Sequence, residues 1–349
     1  MGFDSPLGNN EKNVNMTKRN DIISIFFLLA AGLLTGCSHS YDLELRNEIA
    51  VNTGVTGLQK KVRSIDNNTA LQDDTLMIDA YFHDTEEKFL DAARLVYNSS
   101  SWKFWSDGVP GEQLHYYWPI EGSVYTPGVG DPIVVSSLDF VGYCPYNKPA
   151  YISEGPTYNH STGVTFTCDL SSYMTNTAQA TVSEFMLDTA YNRTSAGGAV
   201  PLSFKHPFAR VRFQLSASHP DIKINSITFE RLKSGGTCTF DNSGFTWTSL
   251  TPAGTVNYVM TLTGTDAEFN DNPASPLRQI GDDWIVVPQT FAGEIEVNAT
   301  WIDWGEEFAH NVSTTISSQT WQAGYSYTYT FTIRETDLRV NVEKYTEQW

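Results

Sequence analysis

The residue with the most sharply specified chemistry is Cys37. It closes the tetrapeptide Leu34-Thr35-Gly36-Cys37, which follows the apolar run 22–34 and, before it, Lys18 and Arg19. A basic start, a short apolar stretch and small residues before the cut are the parts of a secretory signal. A thiol at the first position after that cut can accept a diacylglycerol, and the tetrapeptide matches the lipobox of bacterial lipoproteins. The apolar run falls short of the ~20 residues a helix needs to cross the hydrocarbon core. Residues 1–36 are therefore expected to be removed rather than to span a membrane, with Met16 the expected start. Acyl chains on Cys37 would then tether the chain, each buried methylene contributing about 0.8 kcal/mol.

Other residue sets point to weaker chemistry. Cys144, Cys168 and Cys238 are three in number and form no CxxC pair, so a zinc site is not expected and packing roles are. The seven histidines are scattered, and the chain holds no GxSxG, HExxH or Walker loop, so no enzyme and no cofactor is expected. Asp266, Glu268, Asn270, Asp271 and Asn272 offer oxygen ligands, but without EF-hand spacing or its glycine they read as a solvated loop. Trp102, Phe104, Trp105, Tyr116, Tyr117 and Trp118 fit either a platform for sugar rings or core packing. The net charge of −18 repels nucleic acid and anionic surfaces.

These residues must be positioned by strands. Tyr325, Tyr327, Tyr329, Phe331 and Ile333 alternate with hydroxyl residues, the period-two pattern of a strand with one apolar face. Ile295, Val297, Ala299 and Trp301 repeat it, as do Val200, Leu202 and Phe204, then Val211, Phe213 and Leu215, with a phase break at His206-Pro207 that suggests a bulge. Shorter strands are expected at 76–82, 138–144, 164–168, 222–229, 257–262 and 284–287. Ser234-Gly235-Gly236 and Asp241-Asn242-Ser243-Gly244 read as turns. One helix is expected at 86–97, where Phe89, Ala92, Ala93 and Val96 share a face. Many short strands between turns indicate an all-β fold of two β-sandwiches. The expected division is 37–190, a linker 191–199, and 200–349, although the Val200 strand can instead complete the first sandwich.

Several segments together resemble the fimbrillin family of Bacteroidales lipoproteins, of major or minor fimbrillin type. They are Tyr117-Trp118-Pro119; Leu138 to Pro145 (LDFVGYCP); Val200 to Phe213 (VPLSFKHPFARVRF); Val286-Val287-Pro288-Gln289-Thr290; and Trp321 to Tyr329 (WQAGYSYTY). The second of the longer ones is similar to the family's Phe-x-His followed by Ala-(Lys/Arg)-Val, with a structural hydrogen bond expected at His206. The resemblance implies two tandem transthyretin-like (Greek-key) sandwiches and a fimbrial subunit exported to the outer membrane as a lipoprotein. It also implies a trypsin-like protease that cuts after an arginine, removing the first strand so that a neighbouring subunit's terminal strand can fill the groove.

Arg46 and Arg63 are the candidate cut sites. Only a cut at Arg63 releases the strand 48–55, with Ile49, Val51 and Val55 as its inward residues; beside Lys60 and Lys61, Arg63 also fits a solvated loop. Leu338, Val340, Val342 and Tyr345 mark 338–349 as a donor strand or as the last strand of its own sandwich. Expected partners are other fimbrial subunits, the protease and the outer membrane. The alternative is a monomeric surface lipoprotein that acts as an adhesin or carbohydrate binder. Asp74-Thr75-Leu76 and Asp188-Thr189-Ala190 match the short O-glycosylation pattern common in this bacterial group. N-terminal sequencing of the surface protein tests the processing: chains should begin after Arg63, and chains beginning only at Cys37 refute it.

Overall fold

The computed structural model describes residues 47–55, 68–109, 111–128, 130–216, 223–251, 256–263, 277–303, 306–334 and 337–348. Strands dominate. The first are β1 (Val51–Val55), β2 (Thr75–Phe82), β3 (Lys88–Asn98), β4 (Ser101–Trp105), β5 (Gln113–Leu114), β6 (Val124–Tyr125), β7 (Ile133–Val134) and β8 (Leu138–Cys144). Next come β9 (Ile152–Asn159), β10 (Gly163–Asp169), β11 (Met186–Arg193), β12 (Val200–Phe204), β13 (Ala209–Ser216), β14 (Lys223–Leu232), β15 (Gly235–Asp241) and β16 (Gly244–Thr251). The last are β17 (Val256–Thr261), β18 (Leu277–Gln279), β19 (Trp284–Val286), β20 (Thr290–Asp303), β21 (Glu306–Thr320), β22 (Tyr325–Arg334) and β23 (Asp337–Gln348).

Among the described residues, the strands pair in the orders β11-β8-β2-β3-β4-β5, β16-β15-β10-β9, β18-β13-β22-β23 with β19 also on β13, β17-β14-β20-β21, and the small pairs β1-β12 and β6-β7. Alternation explains how the layers stack. In β2 and β8, Leu76, Ile78, Ala80, Phe82, Leu138 and Phe140 point into one core, which Val51, Val200, Leu202 and Phe204 close. Met77, Tyr81, Val141 and Tyr143 point the other way, into a second core with Val164, Phe166, Cys168, Cys238 and Phe240. A third core lies between Val211, Phe213, Tyr327, Tyr329 and Phe331 on one side and Ile224, Ile227, Tyr258, Ile295 and Val297 on the other.

The expected all-β sandwich architecture is present, and its interior is more interleaved than two separate halves. Strands β9 and β10 form one sheet with β15 and β16, in an antiparallel ladder running from Val164↔Phe240 to Asp169↔Gly235. Nor does 191–199 separate the cores, because Val200, Leu202 and Phe204 belong to the first one. The break at His206-Pro207 is thus not a bulge within a strand. It is the passage from β12, over the first core, to β13, in the third.

Two local expectations are corrected. Residues 88–98 are a strand, not part of a helix at 86–97. Ile78 faces Ala93 and Ala80 faces Leu90, so Asp91 and Ala92 together stand against Asp79 in a bulge. That extra residue turns Leu90, Ala93 and Leu95 inward, so of the expected stripe Phe89, Ala92, Ala93 and Val96 only Ala93 is fully buried. Ser234-Gly235-Gly236 likewise leads into β15 rather than forming a turn. A Cβ on Gly235 would lie 2.4 Å from the Cys168 carbonyl oxygen, so the glycine is needed for close strand approach.

The three cysteines at 144, 168 and 238 are free and buried. Burial pushes the Cys168 thiol up to about 12 and the other two well above their usual value, as suits packing groups. Gly235→Ala should force the β10–β15 ladder apart and cost about 1–3 kcal/mol. A fall in the urea midpoint with an unchanged slope checks it.

Candidate functional site

The candidate site is the seat of the first described strand, residues 47–55. Residues 47–55 cross the end of the first core in two steps. The Trp118 amide donates to the Asn47 carbonyl at 3.0 Å and the Ile49 amide to the Tyr116 carbonyl at 2.7 Å, flanking an antiparallel bridge between Glu48 and Tyr117. The Val200 amide then donates to the Ala50 carbonyl at 2.8 Å, and β1 runs parallel to β12 from Val51↔Val200 to Val55↔Phe204. Ile49 and Val51 are buried and Val55 packs against the same core, as the alternation of 48–55 predicts. Outside the core, Glu48 Oε1 lies 2.9 Å from His115 Nδ1.

The far side of the seat is firmly built. Gly142 lets β12 press directly onto β8, since a Cβ there would meet Leu202 Cδ1 at 2.8 Å, Ile78 Cδ1 at 3.1 Å and Phe204 Cζ at 3.2 Å. Asp188, buried in β11, accepts the Ser203 amide at 2.6 Å and lies 3.4 Å from Lys205 Nζ. Leu187 and Lys205 exchange backbone hydrogen bonds at 3.2 and 3.1 Å. So β12 is tied to the sheet beneath it, while the segment 47–55 is held by the bridge at Glu48, a short parallel ladder and the buried side chains of Ile49 and Val51. Each of those side chains contributes roughly 1.5–3 kcal/mol, and a two-stranded ladder adds little alone.

The sequence-derived residues fall as follows. Cys37, Arg46, Arg63 and the acidic cluster 266–272 lie outside the described residues. Residues 337–348 form β23, an edge strand antiparallel to β22, with Leu338 opposite Ile333, Val340 opposite Phe331, Val342 opposite Tyr329 and Tyr345 opposite Ser326. In the single chain this segment is thus the last strand of its own sheet.

The aromatic platform is not formed, because Trp102, Phe104 and Trp118 are in the first core and Tyr116 packs against it. Tyr117 alone of the six is exposed by nearly half, at 46%. Both short O-glycosylation patterns sit on strands, with Thr75 in β2 and Thr189 in β11. Not anticipated from sequence was the exposure of Ile120, Val124 and Val134 close along the chain to Tyr117.

His206 is buried in the passage from β12 to β13. Its Nδ1 lies 4.0 Å from Glu184 Oε2, and Arg210, also buried, is nearby. Burial first, and the Arg210 charge second, lower its pKa from 6.5 to about 3. Arg212 forms a two-pronged pair with Asp283, at 3.1 and 2.9 Å, on the strand that follows.

A family model described as fimbrillin-like matches residues 131–349. Among solved structures, the chain is similar to a fimbrial protein from Bacteroides vulgatus at 14% identity and a TM-score of 0.56, covering 86% of this chain and 99% of that one. It is also similar to a candidate cell adhesion protein from Bacteroides ovatus, at 12% identity and 0.51, covering 87% and 98%. A candidate cell adhesion protein from Bacteroides uniformis aligns at 15% and 0.50, covering 85% and 98%. At such identities the likeness is one of fold. No curated protein matches the chain.

The buried imidazole makes stability depend on pH. The folded ring takes up its proton only near 3 and a free ring near 6.5, so the unfolded chain binds more protons between those values. The contribution is therefore intact above 6.5 and is lost as pH falls toward 3, on the order of 5 kcal/mol in all. Urea titrations at stepped pH should show a shallower fall for His206→Gln than for the parent chain.

Proposed function

The chain belongs to the fimbrillin-like family, and on that premise we propose that it is a structural or accessory subunit of a fimbria, exported as a lipoprotein and assembled by strand exchange. The observation that carries this reading is the lightly held strand 47–55. Its side chains complete a core, yet it is held by one antiparallel bridge and a short parallel ladder, and its partner β12 is independently fastened to β11. A cut at Arg63 separates that strand from the body, whereas a cut at Arg46 leaves it attached.

Loss of the strand would bare the core around Val200, Leu202 and Phe204, together with backbone groups of β12 and of Tyr116–Trp118. A vacated edge of this kind takes up an extended segment through ordinary ladder bonds. The alternating segment 338–349 of a neighbouring subunit has the length and pattern to fill it. Because donor and acceptor lie on different parts of the chain, the contact is head-to-tail and does not close, which propagates a filament. The exposed side chains of Tyr117 and Ile120, beside the seat along the chain, suit contact with the incoming subunit. Acylated Cys37 holds the unprocessed protein at the outer membrane, and a trypsin-like protease releases it to join other fimbrial subunits.

Two preparations test the exchange. Protein starting after Arg63 should form oligomers or bind a synthetic peptide of residues 337–349, while protein starting at Cys37 should stay monomeric and bind none. A truncated chain that folds but neither oligomerises nor takes the peptide overturns the reading. Electron microscopy of cells with and without the protein should show a matching loss or shortening of surface filaments.

A further inference from the structure

A groove of about 740 Å³ runs between the tip of the β15–β16 hairpin and the turn that leads into β22. Its size lies within the ~300–1,000 Å³ of ligand pockets. Phe245, Trp247 and Tyr325 reach it half-buried, and the exposed side chains of Asn242 and Gln322 stand at its rim. Lys205 brings the one cationic side chain among its described lining residues other than a histidine. No Asp or Glu is among those lining residues, in a chain whose net charge is −18. A described lining without carboxylates, on so acidic a protein, suits a ligand that is neutral or negatively charged.

The rings are set by their surroundings before any ligand arrives. The Trp247 indole N–H donates to the Pro207 carbonyl at 2.8 Å, and its ring packs against Phe208 at 5.4 Å and Phe166 at 5.8 Å. Phe245 packs on Phe240 at 4.6 Å. The opposite wall is fastened too, because the Gly324 amide donates to the Phe208 carbonyl at 2.8 Å and the Tyr325 amide to the Gln322 carbonyl at 3.3 Å. Fixed aromatic faces with amide and hydroxyl groups around them give a preorganised surface of mixed character.

We propose that this groove binds a short oligosaccharide. The C–H faces of a sugar ring carry the partial positive charge that the electron-rich faces of Phe245, Trp247 and Tyr325 attract. Its hydroxyls both donate and accept, which suits the amides of Asn242 and Gln322, each of which does the same. The ammonium of Lys205, 3.4 Å from Asp188 and 5.0 Å from the Phe240 ring, stands at one end for a uronic or sialic carboxylate. Its rings and amides come from residues 242–247 and 322–325, which lie outside the ladder between β1 and β12, and Lys205 alone adjoins that ladder.

The full mature chain should be applied to a glycan array holding neutral and acidic glycans, and hits measured by saturation-transfer NMR and titration. At least one oligosaccharide should bind with a Kd of about 1 mM or tighter. Asn242→Ala and Gln322→Ala, both at exposed positions, should each weaken it about tenfold with the urea midpoint unchanged. Lys205→Gln should weaken acidic glycans and spare neutral ones. Silence across the array, or a hit whose affinity the two amide variants leave unchanged, overturns the assignment. So does an extended peptide that binds in the groove while every glycan fails.

Discussion

The structure rests on the burial of β2 and β8 on both faces. A strand pair covered on one side needs apolar residues at every second position, but a pair covered on both must place something compatible with burial at every position. Leu76 to Phe82 and Leu138 to Cys144 meet that demand almost entirely with apolar side chains. The exceptions are Asp79 and Asp139, and each is saturated with donors. Asp79 accepts from the Ala92 amide at 2.7 Å, Lys88 Nζ at 3.1 Å and the Tyr81 hydroxyl at 3.3 Å. Asp139 takes the Asn192 amide and the Tyr158 hydroxyl, each at 2.7 Å, and His83 Nδ1 at 2.9 Å. Removing the donors would leave an uncompensated buried charge, a loss of about 3–5 kcal/mol. These carboxylates therefore bind together the segments that reach them, among them β9 and β11.

From this two-faced sheet the other layers follow. One face needs a cover, and β12 with β1 supplies it. The other needs a second cover, and the sheet built from β9, β10, β15 and β16 supplies that. Since β15 and β16 lie in the chain between β14 and β17, which belong to the third core, the second cover also ties the C-terminal sandwich to the rest. The two covers differ in kind. The four-stranded one has an antiparallel ladder and a mutual packing of the Phe166, Phe208 and Trp247 rings. The other ends in a short parallel strand at the chain's described N-terminal edge. Of the two covers, this one is the cheaper to open.

What could be read in the amino-acid sequence depended on how local the cause was. The alternation at 325–333 is plain because the strand presents one row of large rings, and Tyr327, Tyr329 and Phe331 are indeed fully buried. Ile49, Val51 and Val55 were legible for the same reason. The helix expected at 86–97 failed because a bulge, set by the Asp79 carboxylate on the neighbouring strand, shifts the phase by one residue. Nothing within 86–97 announces that partner. Gly235-Gly236 was taken for a turn because close approach to Cys168 is a relation across some seventy residues. The rings at 102–118 could have served either a surface or a core, and the deciding factor was which strands covered them. The groove beside Trp247 and Tyr325 was hidden most completely, since its walls come from the β15–β16 hairpin and from segments at 205–206, 288–290 and 320–325, and composition carries no trace of their meeting.

The acidity of the chain bears on how subunits can hold together. Copies of a protein with a net charge of −18 repel one another over the ~8–10 Å that salt leaves unscreened. Contacts built from ion pairs between like subunits would work against that field at every joint. Backbone ladder bonds and buried aliphatic side chains are insensitive to it, because they act at contact distance and carry no net charge. The seat of the N-terminal strand offers those two kinds of interaction, with Glu48 and His115 left at its rim. The same repulsion disfavours association through any surface that lacks such a slot. Where chain replaces chain at that seat, as proposed, an acidic body favours ordered end-to-end growth over unspecific clustering.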